Sequence, residues 1–160
     1  VTTYDVQAQA RKLKRREGLG LIIVDYLTLL ADDKERGDSE HLKVQAMTRR
    51  LRAICKNLKV PGLILAQLSR NVERRDNKRP NMSDLRESGG IEEASDNTLF
   101  LYRDRYYYKD SENDTTEIIV AKQKQGPRNV TANVFYDTET GVFRDISRRP
   151  EDGLPPLPNN

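Results

Sequence analysis

The sequence has few of the residues on which disulfides, metal clusters and membrane spans depend. Cys55 is its only cysteine, which excludes an internal disulfide and fits a reducing cytoplasm. His41 is its only histidine, which excludes a cluster of histidine and cysteine ligands, and we interpret it as a surface residue near a helix start. The longest apolar stretch, residues 19–31, is interrupted by Asp25 and is too short to cross a bilayer. We therefore expect no membrane segment and no secretory leader.

The composition predicts one solvated domain with a modest core. Hydrophobic residues make up 36% of the 160 residues and charged residues 33%. The net charge of +3 is mild, but positive charge gathers at residues 11–16 and again at Arg70, Arg74, Arg75, Lys78 and Arg79. Such local clusters favour a polyanionic partner at particular places. For the first cluster, a solvated helix face is the preferred interpretation.

Residues 21–25 give the clearest strand signal. Four aliphatic residues without polar alternation predict a strand buried on both faces, and Asp25 follows its carboxyl end. In open α/β sheets, ligands bind at that edge, and a lone acid there has the form of a carboxylate that holds a nucleotide's Mg²⁺. Taken alone, the pattern favours the simpler interpretation that the chain turns at Asp25.

Two helices flank this strand. The first is predicted over residues 4–17 with Thr3 as its cap. The second begins near residue 38, and its apolar residues recur every three or four positions, which is typical of a face turned to the core. These residues are Val44, Met47, Leu51, Ile54 and Leu58.

A second apolar strand, residues 63–66, follows the second helix and ends at Gln67. A strand, a helix and a strand normally form a right-handed crossover, so the two strands are predicted to be parallel. Asp25 and Gln67 should then lie at the same edge of the sheet. A carboxylate and a neutral amide placed there could hold Mg²⁺ and sense a phosphate or a water.

The middle of the chain allows more than one interpretation. Residues 69–83 are polar, basic and without periodicity, which predicts a functional or disordered loop. Gly89 and Gly90 could let backbone amides approach an anion, or could simply connect two short helices. The three tyrosines at 106–108 could stack on bases or form a half-buried strand end.

The last part of the chain is predicted to be mostly strand. Residues 98–102 and 117–121 should form a third buried strand and a fourth strand, and residues 130–136 and 142–146 an antiparallel hairpin. The segment 147–160 has four prolines and few apolar residues, so we expect a disordered tail after a domain that ends at residue 146.

Four motifs in order resemble the carboxyl-terminal ATPase domain of DnaB-type replicative DNA helicases. They are Gly18–Leu27, Val60–Arg70, Arg79–Gly89 and Lys122–Pro127. The resemblance implies an α/β fold, a partial RecA-like P-loop NTPase core with a mostly parallel sheet, helices on both faces and a C-terminal antiparallel hairpin. It implies ATP and Mg²⁺ as cofactors, and single-stranded DNA and a homo-hexamer as partners, with other replication proteins possible.

The resemblance also assigns roles to residues at the nucleotide. Asp25 would hold Mg²⁺, and Gln67 would be the sensor that links the γ-phosphate to the DNA-contacting loops. Lys122 and Lys124 would reach across the subunit boundary to the nucleotide held by the neighbour.

For DNA, the resemblance implies contacts in the central channel. Arg86, Glu87 and Gly89 would touch the phosphates of the single strand. Arg70 and Arg79, which belong to the second basic cluster, are predicted as further contacts with the nucleic acid. Because a carboxylate repels phosphate, Glu87 would act through its backbone amide or by orienting Arg86.

The chain departs from the family pattern in two ways. The family usually has arginine at the position of Lys124, and lysine keeps the charge but loses the bidentate fork, so we expect weaker stimulation of hydrolysis. The phosphate-loop motif Gly-x-x-x-x-Gly-Lys-Ser/Thr does not occur in the 160 residues, nor is the family's catalytic glutamate represented. The chain alone should therefore bind ATP poorly and expose an apolar sheet face.

Two other functions stay open at this point. One is a module that binds nucleic acid without catalysis, and the other is a different RecA-like ATPase, either a recombinase or a regulatory one.

Overall fold

The computed structural model describes residues 1–31, 40–88, 90–127 and 129–146, with only the backbone at 40–41 and 86–88. These residues divide into two compact units. The first unit comprises Val1–Arg75 and Met82–Ser95, and the second comprises Asp76–Asn81 and the chain from Asp96 onwards. The predictions for the tail at 147–160 and for the side chain of His41 lie outside the described residues.

The described residues form both helices and strands. The helices are α1 (Thr3–Arg16), α2 (Glu40–Leu58), α3 (Gly90–Ala94) and α4 (Asp104–Tyr107), with 3-10 helices at Leu27–Leu29, Arg70–Arg74 and Met82–Ser88. The strands are β1 (Ile22–Val24), β2 (Gly62–Ile64), β3 (Asn97–Arg103), β4 (Thr115–Gln123), β5 (Val130–Tyr136) and β6 (Phe143–Asp145). Within the described ranges, none of these helices has the length and apolar character needed to cross a bilayer.

Helix α1 begins with a reciprocal capping box. The Thr2 hydroxyl accepts a hydrogen bond of 3.1 Å from the Asp5 backbone N–H, and the Asp5 carboxylate accepts one of 2.8 Å from the Thr2 backbone N–H. The prediction of Thr3 as the cap is therefore wrong. The acid that completes the box lies three residues after Thr2, and Thr3 is buried in the first turn instead.

The core of the first unit is built around α2. The predicted stripe is confirmed, because Val44, Met47, Leu51 and Ile54 are all buried. They form one cluster with the buried side chains of Ala10, Ile22, Val24, Leu27 and Val60. Burial of these side chains is the main favourable term that holds α1, α2 and β1 together.

Strands β1 and β2 form a parallel pair, as the crossover predicts. Ile22 is opposite Gly62, and Val24 is opposite Ile64. The prediction that β1 is buried on both faces is wrong for the described residues, because Ile23 is 60% exposed and Leu63 50% exposed. The alternate residues of β1 pack into the core, so this small sheet has one covered face and one exposed apolar face.

The second unit contains a four-stranded antiparallel sheet in the order β3-β4-β5-β6. The predicted hairpin is confirmed as β5 and β6. The expected mostly parallel sheet is corrected, because among the described strands only β1 and β2 pair in parallel. The connection between β3 and β4, residues 104–114, holds one short helix and is too short for a crossover that would make these strands parallel.

Strand β3 also differs from the buried strand that was predicted. Its residues alternate between buried and exposed, with Phe100 buried, Leu99 54% exposed and Leu101 63% exposed. Leu99 is opposite Val120 of β4, which is in turn opposite Val130 of β5. The second sheet therefore also has an exposed face rich in apolar residues.

Candidate functional site

Asp25 and Gln67 follow the carboxyl ends of two neighbouring parallel strands. The last ladder pair is Val24 with Ile64, and the Leu65 N–H donates a hydrogen bond of 2.9 Å to the Val24 carbonyl. Both polar side chains are exposed. The register thus brings a carboxylate and an amide to one edge of the sheet, as the sequence predicts.

The chain on both sides of Asp25 is fixed by burial. Val24 precedes it and is buried, and Leu27, two residues after it, is among the most buried side chains of the chain. The Leu27 N–H also donates a hydrogen bond of 2.9 Å to the Leu65 carbonyl. The carboxylate is therefore open to a ligand while its backbone is held in place.

A metal ion at Asp25 would need oxygen ligands from elsewhere. In the described residues, no group of three or more histidine, cysteine or acidic residues is arranged to hold an ion. Mg²⁺ is commonly bound through one or two carboxylates together with phosphate oxygens and water. Asp25 fits that mode of binding.

Arg70 lies in a structured segment that the sequence did not predict. The expected loop contains the 3-10 helix Arg70–Arg74, in which the Ser69 hydroxyl accepts a hydrogen bond of 3.3 Å from the Asn71 N–H. Val72 anchors this helix because it is buried. Arg70 is exposed, and its side chain has no partner among the described residues, so it is available to an anion.

An ion pair joins this 3-10 helix to the next one. The Arg75 guanidinium donates a hydrogen bond of 3.0 Å to the Asp84 carboxylate, which is only 5% exposed. The Ser69 N–H also donates to the Asp84 carbonyl at 3.1 Å. Sequence reasoning missed this pair and counted Arg75 among the cations for a polyanion. The sequence feature that could have revealed the pair is the acid Asp84, which follows the basic stretch that contains Arg75.

The residues expected to face DNA are only partly described. Arg86 and Glu87 lie in the 3-10 helix Met82–Ser88, which Asp84 anchors, but their side chains are outside the described residues, as is Gly89. Gly90 starts α3, and a Cβ there would lie 2.5 Å from the Cα of Gln45 in α2. For Gly90, this close approach of two helices favours the structural interpretation over an anion site.

In the second unit, Arg79 is part of the sheet's hydrogen-bond network. Its guanidinium donates to the Glu117 carboxylate at 2.8 Å and to the Thr131 hydroxyl at 3.0 Å. The contacts link Arg79 to β4 and β5. Contact between Arg79 and DNA stays a prediction, and such a contact would have to share or replace these partners.

Lys122 and Lys124 lie at the carboxyl end of β4. Lys122 is half-buried opposite Thr98, whereas Lys124 is exposed just after the strand ends. The Lys124 ammonium forms an ion pair with the Asp96 carboxylate. Sequence reasoning missed Asp96 because it lies 28 residues before Lys124.

The tyrosines near β3 agree in part with both interpretations. Tyr107 stacks on Tyr102 with ring centroids 6.0 Å apart, and the Tyr108 hydroxyl donates to the Asp76 carbonyl. Burial, together with a hydrogen bond to Asp104, raises the pKa of the Tyr102 hydroxyl. Tyr106 remains exposed. Its ring contacts that of Tyr107 edge-on, with centroids 5.0 Å apart, so the group is mainly structural and one of its rings is open to solvent.

Comparison with known proteins agrees with this geometry. The family described as DnaB-like helicase C terminal domain matches residues 1–145. Over 158 residues, the chain is 44% identical to the replicative DNA helicase DnaC of Bacillus subtilis (strain 168) and to the replicative DNA helicase DnaB of Geobacillus stearothermophilus. In each case the match covers 98% of this chain and 35% of the relative, so the chain spans about a third of the relatives' length.

Solved structures confirm the α/β RecA-like fold. The chain is similar to a DnaB-like replicative helicase described with its interactions with primase, with a TM-score of 0.84 and 38% identity over 91% of this chain and 35% of that one. A separately solved ATPase domain gives the same TM-score and identity, with 51% of its chain covered. The RadB recombinase, at 14% identity and a TM-score of 0.54 over 88% of this chain and 58% of that one, supports the fold alone. The chain therefore belongs to the family of DnaB-like helicase C-terminal domains.

Proposed function

We propose that this chain is part of a hexameric replicative DNA helicase that works in the cytoplasm. Such a ring couples ATP hydrolysis to movement along single-stranded DNA and to unwinding of the duplex. The family match supports the proposal, and one observation carries it. The parallel register of β1 and β2 brings Asp25 and Gln67 to one sheet edge with both side chains exposed.

At that edge, Asp25 would hold the Mg²⁺ of a bound ATP, and Gln67 would sense the γ-phosphate. When bound, ATP supplies the phosphoryl group that is transferred to water. The phosphate-loop motif does not occur in the 160 residues, so the groups that cradle the phosphates would come from a segment outside this chain. We therefore propose that the chain alone is inactive.

The exposed apolar faces of both sheets support this view. Ile23 and Leu63 in one unit, and Leu99 and Leu101 in the other, are each at least half exposed. An exposed apolar sheet face usually marks an interface. We propose that the part of the ATPase domain which carries the phosphate loop covers these faces.

Single-stranded DNA would be held through its phosphates. Arg70 supports this part of the proposal because it is exposed and has no partner in the described residues. Arg86, Glu87 and Gly89 are proposed to line the channel, with Glu87 acting through its backbone or through Arg86. Arg79 is proposed as a further contact that would exchange its bond to Glu117 for a phosphate.

Further positive charge at the nucleotide would come from the neighbouring subunit. We propose that Lys122 and Lys124 reach the nucleotide of the neighbouring subunit; both lie at the carboxyl end of β4, and the Lys124 side chain is exposed. A primase is a candidate partner, since a similar helicase is described with its primase interactions.

The test is a chimeric helicase, defined as the Bacillus subtilis relative with its matching 158-residue segment replaced by this chain. We expect it to form hexamers and to hydrolyse ATP faster when single-stranded DNA is added. Asp25→Asn should lower the hydrolysis rate by at least about 100-fold, because a metal-holding carboxylate stabilises the charge of the transition state. Lys124→Arg should raise the rate by adding the bidentate fork.

The control is Asp110→Asn, which removes an exposed carboxylate from a turn far along the chain from Asp25. It should leave the rate unchanged. A chimera that assembles and binds DNA but keeps its ATPase activity in the Asp25→Asn variant would contradict the proposal. If the chimera binds DNA and never hydrolyses ATP, the alternative of a non-catalytic nucleic-acid-binding module becomes the better function.

A further inference from the structure

Lys124 is held at two points by one residue, Asp96. Its ammonium forms an ion pair with the Asp96 carboxylate, and its backbone N–H donates a hydrogen bond of 3.1 Å to the Asp96 carbonyl. Both residues belong to the second unit, although they lie 28 positions apart in the chain. One aspartate thus contacts both the backbone and the side chain of a lysine that directly follows β4.

The strand register explains why the two residues meet. The last pair of the β3–β4 ladder is Asn97 with Gln123, so Asp96 and Lys124 face each other one step beyond it. The register shifts between Thr98 and Leu99, which leaves one extra residue in β4 just before its last residues. A bulge of this kind bends a strand and redirects the side chains near it. The bulge and the backbone hydrogen bond to Asp96 thus lie on either side of the strand end that leads into Lys124.

Stability alone does not account for this contact. The Lys124 side chain is 44% exposed and that of Asp96 is 63% exposed. Exposed ion pairs add little to stability because water screens them and because two flexible side chains must be ordered. The Lys124 ammonium sits on a four-carbon stem with many rotamers, whereas the Asp96 carboxylate is one methylene from its backbone, so the pair chiefly limits where the ammonium charge can lie.

We propose that Asp96 is a positioning residue for Lys124 at the boundary between subunits. The carboxylate holds the ammonium ready until the phosphate of the neighbour's nucleotide arrives. The ammonium then exchanges the carboxylate for the phosphate, while the backbone hydrogen bond keeps the end of β4 in place. This inference rests on the proposed role of Lys124 in the ring.

The test is a double-mutant cycle in the chimeric helicase. Asp96→Ala removes the carboxylate and keeps the carbonyl that accepts from Lys124. We expect kcat for ATP hydrolysis to fall about tenfold while KM changes less than about twofold, because a group that acts on the transition state has been misplaced. In a Lys124→Ala background, the same substitution should change kcat by less than about twofold. Asp96→Asn, which can still accept a hydrogen bond, should restore part of the rate.

The matched control is the ion pair between Arg144 and Asp137, which joins charges 3.7 Å apart in the same unit. Arg144→Ala removes this pair and keeps the Asp137 carboxylate, which accepts hydrogen bonds from the Glu139 and Thr140 N–H groups, so kcat should stay within about twofold of the unaltered ring. Hexamer formation is measured for every variant. If Asp96→Ala does not assemble, Asp96→Asn is taken through the same cycle; it should lower kcat by more than about twofold when Lys124 is present and by less than about twofold in the Lys124→Ala background.

The outcomes separate this inference from the proposed function. If Asp96→Ala lowers kcat equally with and without Lys124, its role is structural and the inference is overturned. If Lys124→Ala lowers kcat and Asp96→Ala does not, the inference is wrong and the proposed function stands. If Lys124→Ala has no effect, the role of Lys124 across the boundary is wrong and the inference is overturned with it.

Discussion

Each of the two units is stabilised internally by a different kind of contact. In the first unit, nine buried apolar side chains from α1, β1, α2 and their connections form one cluster. In the second unit, the buried apolar side chains among the described residues are those of Phe100, Tyr102 and Ile119. Its strands are linked instead by a hydrogen-bonded ladder and by side-chain contacts such as that of Arg79 with Glu117.

This difference separates the candidate site residues into two groups. Asp25 and Gln67 have exposed side chains in a unit that is stabilised by its buried apolar core. Changing either of them should therefore leave the fold intact. Arg79 and Lys124 are themselves members of the contacts that organise the second unit. If a substitution at Arg79 or Lys124 lowers activity, a structural control is needed to show that the fold is intact. For a substitution at Asp25, such a control is less important.

The largest effect is expected from a substitution in the buried apolar core of the first unit. Leu51 is 1% exposed and Leu101 of the second unit is 63% exposed. Leu51→Ala should lower the free energy of unfolding by about 2–5 kcal/mol, because it removes buried surface and leaves a cavity. Leu101→Ala should change it by less than about 0.5 kcal/mol. Urea unfolding followed by circular dichroism measures both, and equal losses would refute the contrast.

A smaller effect tests how closely the helices of the first unit pack. A Cβ at Gly90 would lie 2.5 Å from the Cα of Gln45, so Gly90→Ala forces α3 away from α2. We expect a loss of about 1–3 kcal/mol in the free energy of unfolding. Gly20 is the matched control, since a Cβ there meets nothing within 4 Å.

Gly20→Ala should stabilise the chain by about 0.4–1 kcal/mol by restricting the unfolded state. The two substitutions are thus expected to have opposite signs in the same urea titration. If Gly90→Ala were neutral, the close approach of α2 and α3 would not be a constraint, and the anion-site interpretation of the glycine pair would regain weight.

The structure of the first unit could be predicted from the sequence better than that of the second. The stripe on α2 and the parallel pair β1–β2 were predictable, because apolar spacing within one segment reports which face is buried. The exposed edge with Asp25 and Gln67 followed from that topology. The capping residue of α1 was off by one, since two adjacent threonines satisfy the same pattern until the position of Asp5 is considered.

The contacts of the second unit were not predictable in this way. Arg79 meets Glu117 across 38 residues, and Lys124 meets Asp96 across 28. Such pairs depend on the register between strands, which alternation within one strand does not determine. The roles of Lys122 and Lys124 came from family resemblance alone, because a lysine at a strand end has no pattern that identifies its partner.

The smallest expected effect concerns the polar network of the second unit and its dependence on pH. The Asp104 carboxylate accepts hydrogen bonds from the Ser111 hydroxyl and, at 2.6 Å, from the Tyr102 hydroxyl. These bonds favour the charged form and lower the pKa of Asp104 in the folded chain. Asp104→Asn should therefore cost about 1 kcal/mol at neutral pH.

The sign of the pH dependence follows from that lowered pKa. A depressed pKa contributes stability that is fully present above the pKa of an unfolded aspartate, about 3.9, and is lost as pH falls through the folded value. The difference in the free energy of unfolding between the unaltered chain and Asp104→Asn should thus be constant from pH 7 to about pH 5. Below about pH 4 this gap should disappear. Urea unfolding at each pH measures this gap, with Asp110→Asn as the control, because Asp110 is exposed and has no side-chain hydrogen bond in the described residues. A gap that stays constant down to pH 3 would mean that hydrogen bonds to the charged carboxylate do not stabilise the second unit. The difference between the two units would then be that buried apolar side chains stabilise the first and the hydrogen-bonded strand ladder alone stabilises the second.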